Sequence, residues 1–501
     1  DPRIAAAVPF NFGGPQPETQ FPLPENAEDR FNYAGGGSWE STRNLRLSVR
    51  DGFLPWVIVG SLAPRRLVYA HEFAWDREHD PVWARLEAIF GQANARDHLA
   101  FTHGSGSVKG QPPESTHCNN IGAVHRRMMY PAFERWFGLP VPKEEYRNRR
   151  SSEELLCLSG ANAPSNTSKT VHQLADELAA GQIAEARKTL AGKSHDERRE
   201  ALRARWTPLL GDIAPYRVQQ AAQPENSKAN GIRIEKHLLG GERDIRLPVL
   251  MLIPARPGSK RLPVVVAIAQ EGKAGLLKHR EELIAGLLDA GIAVCLPDLR
   301  GTGESRPGSD RGRGSEATTL SSLALMLGTP PVGEQLRDLR SVQRWLRTQS
   351  DFDPQHMAVH GDSFATRNGP EARLEVPLDL DQPHLADTSA ALVAQLAGLF
   401  EDDLAAISAE GGLVSFRSLL ASPFLHVPHD AVIPGATSAG DIADLARASR
   451  AVWLSGLVDG LNRPATGEAV SGAFAPGPNS QTQSVPADQT QLAAWLRERL
   501  K

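Results

Sequence analysis

Cysteine is scarce: Cys118, Cys157 and Cys295 are the only 3 in 501 residues. They allow at most one disulfide and form no CxxC or Cys/His ligand spacing, so reduced or buried thiols are expected. Neither HExxH nor a P-loop occurs, and the glycines at 301–303 do not complete GxGxxG. No metal, nucleotide or other cofactor is therefore expected. The acids Glu401, Asp402 and Asp403 read as a solvated strand entry rather than a cation site. No sign of charge dominates: 55 Lys and Arg stand against 59 Asp and Glu, a net charge of −4. That balance argues against a nucleic-acid or anionic-membrane partner. No apolar run is long enough to cross a bilayer, so membrane insertion is not expected. An initiator Met and a signal peptide are also missing, and composition fixes no oligomeric state.

What is present is a globular composition, 41% hydrophobic and 23% charged. At ~150 residues per domain, the length calls for more than one domain. The opening Asp1–Phe10 reads as the interior of a domain. The chain is therefore expected to be part of a longer protein, and its first sheet to have an open edge beside Ala5–Phe10. Residues 1–148 read as the C-terminal part of a first α/β domain, with a strand at Arg66–Ala70 and helices over 82–91 and 121–137. Residues 149–212, rich in Ala, Glu, Arg and Lys, read as a surface helical connector. Residues 213–501 alternate strand and helix, which predicts a mostly parallel sheet with helices on both faces. Within them, 232–253 reads as a hairpin, Leu262–Ala269 as a buried strand, and 279–290 as a helix closed by Gly291. Residues 474–487 read as a flexible loop.

The sharpest motif is Gly361-Asp-Ser-Phe-Ala365 after an apolar strand. Gly-x-Ser-x-Gly/Ala between strand and helix is the nucleophile elbow, which makes Ser363 the candidate nucleophile. The backbone amide of Phe364 is one candidate oxyanion donor. Gln270, after the strand at Leu262–Ala269, is the other. The turn Asp298-Leu-Arg-Gly-Thr-Gly-Glu-Ser305 would shape the rim. Asp459 follows a further strand where a triad acid belongs. The base is the gap: after Ser363 the only histidines are His384, His426 and His429, all before Asp459. A serine hydroxyl without a base is a weak nucleophile. His426 or His429 would have to approach from a loop. The helix expected after the elbow is also interrupted, from Arg367 to Asp387.

The N-terminal part holds the complement. Glu72 or Asp76 lies at the end of the strand Arg66–Ala70, as an orienting acid would. His117 follows on a polar loop, giving the acid-then-base order of a triad. No elbow serine precedes them in this chain. Glu40, in Gly36-Gly-Ser-Trp-Glu40, reads as rim chemistry.

These passages resemble bacterial α/β hydrolases of the acetyl xylan esterase and glucuronoyl esterase type, including proteins with two such domains. In the first part the resemblance rests on PFNFGGP at 9–15, GGGSWESTRNLR at 35–46, YAHEFAWDREHDPVW at 69–83 and HCNNIGAVHRRMMYPAFERWFGLPVP at 117–142. In the second part it rests on DLRGTGES at 298–305 and GDSFA at 361–365. It implies an α/β-hydrolase fold, a partial first domain and a more complete second one. It also implies a secreted or periplasmic serine carboxylic-ester hydrolase acting on acylated or esterified polysaccharide. His117 would be the base and Asp76 or Glu72 the acid of the first domain, and Ser363 the nucleophile of the second. The alternative, from another class, is a catalytically silent module that binds glycan or packs against a partner domain.

Overall fold

The computed structural model describes residues 3–12, 22, 25, 46–107, 110–116, 121–157, 168–242, 244–255, 260–308, 311, 315–372, 374, 383–474 and 480–501. The chain divides into two compact units, with the main break between Ser168 and Lys169.

In the first unit, strands β1 (Ala6–Ala7), β2 (Arg66–His71) and β3 (Leu99–His103) form a parallel sheet in the order β1-β2-β3. Among the described residues β1 pairs only with β2. Helices α1 (Pro55–Gly60), α2 (Pro81–Gln92) and α3 (Ala123–Phe137) accompany them. Asp80 caps α2 by accepting from the Val82 amide, and Pro81 stands at the first helical position, where a missing N–H costs nothing. Leu67, Tyr69, Val82, Leu86 and Phe90 are buried together, so the apolar stripe of α2 meets one face of β2. Met129, Ala132 and Trp136 of α3 cover Val68 on the other face.

The second unit is built on one large sheet. Its strands are β4 (Gln219–Gln220), β5 (Glu225–Ala229), β6 (Ile232–Gly240), β7 (Arg246–Ile253), β8 (Leu262–Ala269), β9 (Ala293–Pro297), β10 (Phe352–Asp362), β11 (Leu404–Glu410), β12 (Val452–Ser455) and β13 (Ser480–Thr482). The order runs β13-β12-β11-β10-β8-β9-β7-β6-β4, with β5 also on β6. Numbered from β6, eight strands follow the sequence 1-2-4-3-5-6-7-8, and β7 alone of these lies antiparallel to both its neighbours. This is the strand order of an α/β hydrolase. β8 is buried on both faces and reads as a continuous Val- and Ala-rich run, and β10 is buried over Met357–Asp362. Helices α6 (Gly272–His279), α7 (Glu281–Asp289), α8 (Pro331–Thr348), α9 (Ser389–Phe400) and α10 (Gln489–Arg499) cover the two faces. The expected helix stop at Gly291 is present, with φ +77°.

Two expectations are corrected. Helices α4 (Val171–Leu190) and α5 (His195–Leu210) are not a surface connector. Leu190, Leu202, Trp206 and Leu210 lie in the main core of the second unit, so these helices belong to it. Arg199 accounts for part of this: it is buried and donates to the carbonyls of Gly398, Leu399 and Glu401, the unpaired C-terminal end of α9. Residues 474–487 are not loop throughout. Ser480–Thr482 pairs in parallel with β12 as the edge strand, too short to show any apolar alternation.

Candidate active site

Ser363 stands at the carboxyl end of β10, the fifth strand of the hydrolase order, half-buried. Its neighbour Asp362 is fully buried and saturated with donors. Arg280 reaches it with Nε to Oδ2 at 2.7 Å and Nη2 to Oδ1 at 2.8 Å, a bidentate fork. His360 Nε2 lies 2.8 Å from Oδ2, and the Ser363 amide donates to Oδ1 at 2.8 Å. An acceptor-only carboxylate requires the His360 proton on Nε2, which leaves Nδ1 to accept from Ser408 Oγ at 2.9 Å. Burial alone would raise the Asp362 carboxyl; His360 and Arg280 outweigh it and hold the group below its ordinary value.

The elbow itself differs from expectation. Ser363 is absent from the non-glycine residues of positive φ, so the strained turn is not adopted. No helix follows directly; among the described residues the next, α9, begins at Ser389. Its first turn nonetheless lies against the strand, since a Cβ at Gly361 would meet the Ala390 carbonyl oxygen at 2.3 Å. The described residues of 363–388 are thus an excursion between strand and helix. Buried Asn368 and Asn462 pin its described parts, bonding to the backbone of His384, Leu461 and Thr366.

On the neighbouring strand, sequence reasoning missed Glu410. It ends β11 ahead of Gly411-Gly412, and a carboxylate followed by two glycines at a strand end was the available signal. Glu410 is buried; Oε1 accepts from Arg367 at 2.8 Å, and Oε2 from Ser455 Oγ at 2.6 Å and from the Ala487 amide at 3.3 Å. Ala487 belongs to the segment after β13, where this fold delivers its base. Here a backbone amide contacts the acid from that segment.

The other predicted residues of this unit have structural partners. Asp459 Oδ1 accepts from the amides of Leu461 and Arg463, so it caps its own turn. Gln270 donates from Nε2 to the Gly301 carbonyl, and its main-chain carbonyl accepts from the Gly303 amide. Asp298 binds Lys273 Nζ at 2.6 Å and the Lys273 and Glu304 amides, tying the segments after β8 and β9 together. The Phe364 ring lies 4.9 Å from that of His279 and 5.0 Å from the Arg280 guanidinium. Among the described residues no histidine hydrogen-bonds to Ser363 or Asp459. His426 donates from its amide to the carbonyl of Gly460, the residue after Asp459. Burial and Arg463 lower its pKa, so its imidazole is neutral near pH 7. His429 Nδ1 lies 2.9 Å from Ser321 Oγ, and His384 is exposed.

In the first unit Glu72 follows β2 directly. Its carboxylate accepts from Asn11 Nδ2 at 3.0 Å, while its amide donates to Asn11 Oδ1 at 2.7 Å. Thr116 Oγ1 donates to the Glu72 carbonyl. Asp76 pairs with exposed His79 at 3.0 Å. His117, Cys118 and Glu40 lie outside the described residues. Of the other two cysteines, Cys157 is exposed and Cys295 buried, and both are free. Among the described residues no group of three His, Cys, Asp or Glu forms a metal cage.

No family model and no curated protein matches this chain. Similar solved structures include esterases. A putative acetyl xylan esterase from Bacteroides fragilis is 14% identical, with a TM-score of 0.44 over 64% of this chain and 83% of that one. A glucuronoyl esterase from Solibacter usitatus is 12% identical, with a TM-score of 0.34 over 61% and 92%. Acetyl xylan esterase 1 from Thermoanaerobacterium sp. is 14% identical, with a TM-score of 0.37 over 61% and 94%.

Proposed function

We propose that this chain is a serine carboxylic-ester hydrolase acting on acylated or esterified polysaccharide, with Ser363 as nucleophile. The observation that carries the reading is the position of Ser363 at the carboxyl end of the fifth strand in the hydrolase order. The segments after β8, β9 and β11 meet that end of the sheet. In this reading Ser363 Oγ attacks the ester carbonyl, its proton passes to a base and the alcohol leaves with a proton. Water then cleaves the acyl-serine, releasing the acid and restoring the hydroxyl. The amides of Phe364 and Gln270 are the candidate donors to the oxyanion. His426 is the candidate base of the second unit and Asp459 its candidate acid, on the strength of the contact between the His426 amide and the turn that Asp459 caps. In the first unit the corresponding proposal is His117 with Glu72 or Asp76. Polysaccharide as substrate and secretion or a periplasmic location rest on the sequence resemblance. No described helix is long and apolar enough to cross a membrane.

The second reading is a silent module that binds glycan without cleaving it. It is favoured by the ordinary φ of Ser363, by the lack of a bonded histidine among the described residues, and by the Arg367–Glu410 ion pair beside the serine's strand. A fluorophosphonate probe separates the two. Labelling lost in Ser363→Ala supports the hydrolase; an unlabelled wild-type chain supports the module.

A further inference from the structure

We infer that Arg280 is a positioning residue for Ser363, acting through Asp362. The inference rests on Ser363 being the nucleophile, but its physical content stands apart from that reading. Arg280 occupies the junction between α6 and α7, far in sequence from the serine, and its side chain is about one-fifth exposed at 21%. It grips the two residues on either side of Ser363. Its fork fills both oxygens of Asp362, and its guanidinium lies against the Phe364 ring.

The carboxylate it holds is the same one that receives the Ser363 amide. Oδ1 takes Arg280 Nη2 and the Ser363 N–H; Oδ2 takes Arg280 Nε and His360 Nε2. Four donors on two oxygens leave the carboxylate a single orientation. The titratable groups around it are Arg280, His360 and, at the Phe364 ring, His279. A fully buried carboxylate is costly unless paired, and a core position with well-packed apolar groups is as stable as a buried ion pair or more so. Stability alone therefore gives little reason to place this pair here. What the pair adds is direction. It fixes the amide of the residue whose hydroxyl must meet a substrate, where ~1 Å of misplacement can cost a hundred-fold in rate.

The test combines two readouts on the full chain, wild type against Arg280→Met and Arg280→Lys. One is hydrogen exchange of the peptide containing Ser363. The other is the rate of fluorophosphonate labelling. Loss of the fork frees Asp362, so Arg280→Met is expected to speed exchange at the Ser363 amide. Labelling should slow by about ten- to a hundred-fold. Arg280→Lys, which keeps the charge but not the fork, should fall between. Arg280→Lys covers the case in which Arg280→Met does not fold, and His360→Gln, which leaves the Arg280–Asp362 fork in place, should change exchange less than either. Unchanged exchange at Ser363 in a folded Arg280→Met would overturn the inference. So would labelling as fast as wild type. If the wild type itself is not labelled, the nucleophile reading fails, and the exchange result alone decides whether Arg280 positions this backbone.

Discussion

Gly411 closes directly over Ser363. A Cβ built on Gly411 would stand 2.5 Å from the serine Cβ and 2.9 Å from its Oγ, and Gly411 itself has a φ of +73°. Backbone conformation and close approach both demand glycine here. The end of β11 therefore comes nearer to the candidate nucleophile than any side chain would allow.

Gly411→Ala is accordingly expected to fail twice. The left-handed backbone strains any L side chain by ~1–2 kcal/mol, and the added methyl displaces Ser363. Thermal unfolding should show the strain. Labelling of Ser363 should drop far more than the stability change accounts for. Unaltered labelling in a folded variant would show that the serine does not need this approach.

Removing the Arg199 side chain tests the corrected role of α4 and α5. Arg199→Met strips three donors from the C-terminal carbonyls of α9, at ~1.5–3 kcal/mol for a hydrogen bond to a charged group. The unfolding free energy of the second unit from urea titration should fall by a few kcal/mol, and that of Arg203→Ala by less, since Arg203 is more exposed. A true surface connector would show neither loss.

The first unit should be sensitive to acid. His71 is buried, stacked on Trp75 at 4.7 Å, and its pKa is lowered to about 3 by burial and then by His103. The folded unit thus disfavours the protonated ring, whereas the unfolded chain takes its proton near pH ~6.5. Between those values the unfolded state binds more protons, so stability is lost as pH falls from about 6.5 toward about 3. His71→Phe keeps the stacking and removes the titration. Its unfolding midpoint should vary less with pH over that window than that of the wild type.

If His426 is the base, His426→Ala should lower ester hydrolysis by ~10²–10⁴-fold while leaving the fold intact. Asp459→Ala should lower hydrolysis as well as stability, because the proposed acid also holds its own turn. Hydrolysis undiminished in a folded Asp459→Ala would remove Asp459 from the proposed triad.

Much of this was legible in the chain. The Val-rich run Leu262–Ala269 and the Gly240-Gly241 end of the hairpin declared themselves by pattern. β13 did not, because three residues on a sheet edge carry no period. The helices over 171–210 misled because α5 is crowded with arginines, one of which, Arg199, is buried against helix carbonyls rather than solvated. At the site, Ser363 was found from its motif. The turn it was expected to make was not, because the path over 363–372 and the Asn368 and Asn462 bonds lead elsewhere. Glu410 was missed because an acid at a strand end shows its partners, Arg367 and Ser455, only once the strands are side by side.

The most direct measurement is release of acetate from acetylated xylan by the full chain, compared with Ser363→Ala of equal thermal stability. The account predicts turnover by the wild type and loss of at least ~10³-fold in the variant. Turnover that survives the substitution would contradict Ser363 as the nucleophile, and no turnover in the wild type would contradict ester hydrolysis by this chain.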